Sequence, residues 1–163
     1  MEQDNRIPGG LGVARVAEVE INAPIDQVAE LWWHQGVRKQ WDTLNTDDSQ
    51  TVREIDDDTK ICYIRSKPKA MLAPRDFCYY VCRVPPSLIG HSFNSQVFVQ
   101  VDASKEVPPD GVSVRGNVNS MIVLTPITAS KTRATYCVEM NVNGWVPSSV
   151  CVPRLVECGV CCA

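Results

Sequence analysis

The chain has 163 residues, 44% of them hydrophobic and 21% charged, with 16 basic against 19 acidic side chains and a formal charge of −3. That size and balance predict one soluble globular domain and exclude a chain-wide positive field for holding nucleic acid. No apolar run approaches the roughly 18 residues that span a bilayer, and Met1–Arg6 is too polar to open a signal peptide, so the expected location is cytoplasmic. The eight cysteines are then read as mostly reduced thiols, and four of them follow residue 150.

Residues 1–12 hold Pro8, Gly9, Gly10 and Gly12 without periodicity and read as a flexible lead-in. Alternation of Ala17, Val19 and Ile21 against Glu18 and Glu20 predicts a half-buried strand over Val13–Ile21. The period then changes. Pro24 and Asp26 suit a first helical turn, and Ile25, Val28, Leu31 and Trp32 recur at helical spacing until Gly36, with a short second helix over Val37–Trp41. Seven acidic residues follow between Asp42 and Asp58, but no glycine lies between Gly36 and Gly90 to turn a calcium loop. A hairpin is the better reading: Thr51–Ile55 and Thr59–Ile64, turning at Asp56–Asp58. Further strands are expected at Phe77–Val84, Phe93–Asp102, Val112–Asn117, Met121–Pro126 and Thr132–Met140. Phe93, Val97, Val99 and Val101 alternate with Asn94, Gln96, Gln100 and Asp102. Ala134, Tyr136, Val138 and Met140 alternate with Arg133, Thr135 and Glu139. Short strands joined by turns, with helical periodicity near one end, predict an α+β domain in which an antiparallel sheet wraps a helix.

Catalytic chemistry is sparse. His34 and His91 have no partner that spacing identifies, and Gly9, Gly10 and Gly12 precede the first strand, so no phosphate loop is present. Cys158 and Cys161 form a C-x-x-C beside Cys162, without the second pair that structural zinc requires. No cofactor or metal is expected. Between two predicted strands, Arg65, Lys67 and Lys69 lead into Met71 and Leu72. Basic and apolar side chains at a loop tip suit contact with an anionic membrane surface, whereas an inward turn would make Met71 and Leu72 core; both readings stand.

Four segments in order carry a family resemblance: Gln40-Trp41-Asp42 after the helix, Ala73-Pro74-Arg75-Asp76-Phe77 opening a strand, Val114-Arg115-Gly116, and Asn143-Gly144-Trp145-Val146-Pro147. Together, over Val13 to about Val150, they resemble the START family of lipid-transfer domains, with Val112–Pro147 most similar to its sterol-carrying branch. The resemblance implies a helix-grip fold, a curved antiparallel sheet around a helix enclosing a cavity for a single lipid. It implies a carrier, not an enzyme, cytoplasmic and peripheral at membranes, with transient contact to the membrane surface.

Matched to that fold, the cavity lining is Ile64, Tyr79, Val81, Ser120, Ile122, Tyr136 and Val138, and the membrane-contact loop is Lys67, Lys69, Met71 and Leu72. Val81 stands where sterol carriers place a buried arginine, Arg83 lies further along the same face, and the acidic partner's place falls at Ile64. Arg75 and Asp76 read as a structural pair at a strand start and Trp145 as a core anchor. The family carries another helix and two strands before the position of Val13, and a long lid helix after Pro147. Here residues 13–150 form the expected lipid-binding domain, and residues 151–163, broken by Pro153 and Gly159, a divergent Cys-rich tail in place of most of the lid. Two alternatives follow: a shortened interaction or regulatory module without efficient transport, and a cavity-fold enzyme whose inward polar groups would be Tyr79, Tyr136 and Ser120. Nothing in the sequence assigns the lipid or an oligomeric state.

Overall fold

One curved antiparallel sheet of eight strands makes up most of the computed structural model, which describes residues 13–42, 46–68, 72–89 and 94–144. In chain order the elements are β1 (Val13–Ile21), α1 (Ile25–Trp33), α2 (Arg38–Trp41), β2 (Thr46–Asp56), β3 (Thr59–Ser66), β4 (Arg75–Val84), α3 (Pro86–Ile89), β5 (Gln96–Asp102), β6 (Val114–Arg115), β7 (Asn117–Thr128) and β8 (Lys131–Asn141). The strand order is β1-β8-β7-β5-β4-β3-β2. From β2 onward the path is a meander, and β1 returns to close against the last strand. The two-residue β6 pairs with β4 in parallel, as the one parallel contact among the described strands.

The hairpin forms as its charge pattern predicts, with Asp58 N–H bonded to Asp56 Oδ1 at 2.9 Å across the turn. Its first strand starts at Thr46, earlier than expected, because bulges accommodate the acidic stretch by shifting register after Thr46, Thr51 and Glu54. Phe93 lies outside the described residues, and β5 begins at Gln96. The stretch Val112–Asn117 is not one strand: β6 ends at Arg115 and β7 begins at Asn117 and runs for 12 residues. α3, a single turn, has no periodic signature in the sequence.

α1 ends at Trp33 rather than at Gly36; His34 caps it through its backbone N–H, and a 3₁₀ turn over Gln35–Val37 leads into α2. Its packed stripe also differs from expectation. Val28, Ala29, Trp32 and Trp33 are buried, with Ile25 packed beside them, while Leu31 is 40% exposed. The stripe therefore runs at positions 25, 28, 29, 32 and 33, and the helix lies on one face of β7 and β8.

That concave face holds the main core. Cys62, Phe77, Tyr79, Val81, Phe98, Val118, Ile122, Leu124, Ala134 and Val138 belong to it, together with the α1 side chains. The opposite face carries a smaller cluster, Ile61, Cys78 and Ala103 with Tyr80 and Val107 against them. In β5 the visible alternation marks the wrong side. Phe98 pairs with Ile122 and Gln100 with both Ser120 and Val81, so the concave face takes Gln96, Phe98 and Gln100, and Val101 is 47% exposed.

Candidate ligand site on the concave face

All seven residues expected to line a cavity lie on the concave side, because the antiparallel register aligns their parities. Tyr79 pairs with Cys62 and Val81 with Lys60; Ser120 pairs with Val138 and Ile122 with Tyr136, and Ile64 stands opposite Phe77. Tyr79, Val81, Ser120, Ile122 and Val138 are buried, whereas Ile64 and Tyr136 are half-buried. Of the expected membrane-contact residues, Lys67 is exposed and Leu72 half-buried; Lys69 and Met71 lie outside the described residues, as do Trp145, His91 and the tail cysteines. Among the described residues no helix is long and apolar enough to cross a membrane.

Aromatic side chains from the helical segment floor this surface. Trp32 meets Tyr136 edge-on at 5.4 Å and Trp41 in a stack at 6.3 Å, and Trp33 tilts against Phe98 at 6.3 Å. The Arg38 guanidinium lies 5.7 Å from the Trp32 ring and 5.2 Å from that of Trp41. Tyr79 donates its hydroxyl to Gln35 Oε1 at 3.0 Å, and Gln35 Nε2 donates to the Trp32 carbonyl at 2.8 Å. Burial pushes the Tyr79 hydroxyl upward in pKa, so it stays protonated. The same cause raises the Cys62 thiol to about 11.

Sequence reading missed a polar row through this apolar surface. Lys60, Val81, Gln100, Ser120 and Val138 stand in register across β3, β4, β5, β7 and β8. Ser120 Oγ donates to Gln100 Oε1 at 2.6 Å, and Gln100 Nε2 is buried without a partner. Lys60, 3% exposed, places Nζ 3.8 Å from the Trp33 ring centroid, with the Arg83 guanidinium 4.1 Å from the same ring. Desolvation lowers the Lys60 pKa. The signal was available in parity alone: placing Ile64 inward on a strand puts Cys62 and Lys60 inward too.

A second constellation joins the quoted motifs at the end of the sheet. Asp76, fully buried, accepts from Arg115 Nε at 3.0 Å and Nη2 at 2.9 Å, while Arg115 Nη1 donates to the Ser104 and Val107 carbonyls at 2.8 and 2.9 Å. Arg75 turns to the other side and donates to the carbonyls of Ala73, Val142 and Asn143. Adjacent strand residues point to opposite faces, so Arg75 and Asp76 are not a pair with each other, contrary to expectation. Asn143, at φ 47°, donates Nδ2 to the Arg115 carbonyl at 2.9 Å and Asn117 Oδ1 at 3.1 Å. Gly116 is fixed by space: a Cβ there would lie 2.3 Å from Phe77 Cε1 and 2.9 Å from the Asn141 carbonyl.

The sequence model of the START domain matches residues 6–160. The chain belongs to the START-domain family. No curated protein matches it in sequence. Among solved structures it is similar to the human StarD13 (DLC2) lipid transfer and protein localization domain, with a TM-score of 0.76 and 21% identity over 93% of this chain and 75% of that one. It is also similar to a STAR-related lipid transfer protein from Xanthomonas axonopodis, with a TM-score of 0.75 and 17% identity over 94% of this chain and 83% of the other. A more distant likeness is the Zhui aromatase/cyclase from Streptomyces sp. R1128, with a TM-score of 0.53 and 10% identity over 82% of this chain and 70% of the other. At these identities the likenesses show the fold. The curved antiparallel sheet with few helices is that of the START domain's helix-grip fold.

Proposed function

We propose that this START domain binds a single lipid against its concave face and carries it between membranes as a cytoplasmic, peripherally acting protein. The observation that carries the reading is the continuous apolar interior of the concave face, from Cys62 and Phe77 through Val81, Phe98 and Ile122 to Val138, in a chain of this family. Exposing an acyl chain to water costs about 0.8 kcal/mol per CH₂, so unassisted transfer between bilayers is slow. A protein surface that replaces the bilayer interior removes most of that barrier. Ile64, Tyr79, Val81, Ser120, Ile122, Tyr136 and Val138 are the proposed lining. Lys67, Lys69, Met71 and Leu72 are the proposed membrane contact, supported by basic and apolar chemistry in one loop.

An enzyme reading draws on the aromatase/cyclase likeness and the inward polar groups. It is the weaker one. Tyr79 is held protonated and engaged by Gln35, no histidine stands in the row from Lys60 to Val138, and the carboxylate next in register, Glu54, is exposed at the sheet edge. The test is mass spectrometry of lipid co-purified with the intact chain, followed by transfer of labelled lipid between donor and acceptor vesicles. Lipid in the purified protein and transfer faster than the blank are expected. Absence of both, across sterols and phospholipids, defeats the proposal in favour of a module that does not carry lipid.

A further inference from the structure

The polar row on the concave face is asymmetric in charge. Arg83 has a carboxylate, Glu30, at 3.3 Å, and Glu30 also contacts His34 at 2.8 Å. Lys60 has neither ion pair nor hydrogen bond among the described residues; its ammonium rests on the Trp33 indole. The register partner of Lys60 on β2 is Glu54, an exposed side chain on the same face at the sheet edge, and Glu30 on α1 is exposed and paired with Arg83; neither carboxylate is within ion-pair distance of Lys60 Nζ among the described residues. Two strands away in the same register, Gln100 Nε2 is a buried donor without an acceptor, its own carbonyl already taken by Ser120. Buried donors left unmade cost about 1–3 kcal/mol each, and an uncompensated ammonium costs more. A chain that keeps both on the face proposed to hold a ligand has two buried donors that no acceptor contacts among the described residues.

We infer that the lipid carried here has an anionic head, a carboxylate or a phosphate, whose oxygens accept from Lys60 Nζ and Gln100 Nε2. This rests on the lipid-binding reading above and names the class of ligand. Neighbouring strands are about 4.8 Å apart, which puts the two Cα atoms about 10 Å apart with the small Val81 between. The lysine stem and the amide can converge on one head across that gap. A neutral sterol hydroxyl would satisfy Gln100 and leave the ammonium uncompensated. A choline head would set a third cation beside Lys60 and Arg83. The lowered Lys60 pKa agrees with this: burial disfavours the charge that an anion would stabilise.

The test loads the full chain from phosphatidylcholine vesicles containing equal small fractions of oleate, phosphatidic acid and cholesterol, re-isolates it, and quantifies bound lipid by mass spectrometry. Oleate or phosphatidic acid should be enriched over cholesterol and phosphatidylcholine. Lys60→Met should reduce the enrichment about tenfold, the value of one charge-assisted hydrogen bond, and Lys60→Arg should retain it. Gln100→Leu, which keeps the lysine, should reduce it by a smaller factor and serves as the second variant if Lys60→Met does not fold. Lipid bound without preference for an anionic head, or a preference that survives both substitutions, overturns the inference and leaves lipid binding standing. No lipid in any arm defeats both. A parallel titration with inorganic phosphate separates the sources: saturation by phosphate without enrichment of either acidic lipid assigns the donors to a free anion and overturns the lipid-head claim.

Discussion

Replacing Asp76 with asparagine keeps the shape of the side chain and removes its charge, and the structure sets what that costs. Asp76 is fully buried, and the Arg115 side chain is 13% exposed. Two hydrogen bonds to a carboxylate are weakened at once, at 2.9 and 3.0 Å. Each such bond contributes about 1.5–3 kcal/mol, but Arg115 keeps its carbonyl acceptors on Ser104, Val107 and Pro108, so the loss should sit near 3 kcal/mol, at the lower end for breaking a buried pair. That is a large share of the roughly 5–15 kcal/mol of a typical domain. Urea denaturation followed by the fluorescence of the interior tryptophans measures it. Arg115→Leu alone should cost a similar amount by stranding Asp76, and the double variant Asp76→Asn with Arg115→Leu should cost clearly less than the sum. A loss under about 1 kcal/mol for Asp76→Asn, or strict additivity in the cycle, would refute the claim that this ion pair ties β4 to the segment from Ser104 to Arg115.

Gly116→Ala should lose about 2 kcal/mol in the same assay, since the added methyl meets the Asn141 backbone as well as the Phe77 ring, and Phe77→Leu in the same chain should recover only the ring's part. Burial lifts the Cys62 and Cys78 thiols to about 11, so at pH 8 only about one in a thousand is thiolate; peptide mapping after iodoacetamide should show both unmodified in the folded chain and alkylated in urea. Lys60 has a lowered pKa when folded, so between its folded and unfolded values the unfolded chain binds more protons and stability rises with pH. Lys60→Met should therefore be more stable than the native chain at pH 7, with a margin that narrows towards pH ~10.4, where the unfolded lysine titrates; an equal margin at pH 7 and 10 would contradict it.

The sheet was legible because β1 and β8 carry period-two patterns whose inward members are mostly apolar, and because turn chemistry at Asp56–Asp58 fixes the hairpin. The two misread elements share one cause. In β5 the inward face carries Gln96 and Gln100 beside Phe98 while the opposite face carries Val97, Val99 and Val101, so hydrophobicity alone points to the opposite face; the pairing of Phe98 with Ile122 and Gln100 with Ser120 settles the phase. In α1, Leu31 looks like core by residue type, yet the 3.6-residue period admits Ala29 and Trp33 to the buried stripe and leaves Leu31 facing water. The partners of Asp76 were equally out of reach. Arg115 lies 39 positions away, and only the parallel β6 contact brings the two together.

The residues that disclose the family and those that face the candidate site are different sets, with different physical jobs. Arg75, Asp76, Arg115, Gly116 and Asn143 meet in hydrogen bonds and close packing that hold the end of β4 to β6 and to the residues after β8. Each is fixed by a specific partner, so substitution is costly and the motif persists as a signature. Inward positions answer to weaker constraints: Lys60, Val81, Gln100, Ser120 and Val138 occupy equivalent places in one row, and the sheet forms whichever of them is polar. Selection on ligand chemistry can therefore rewrite the row without disturbing the frame. That is why the family could be read from the frame, while the proposed class of ligand rests on Lys60, a buried cation without an ion pair among the described residues.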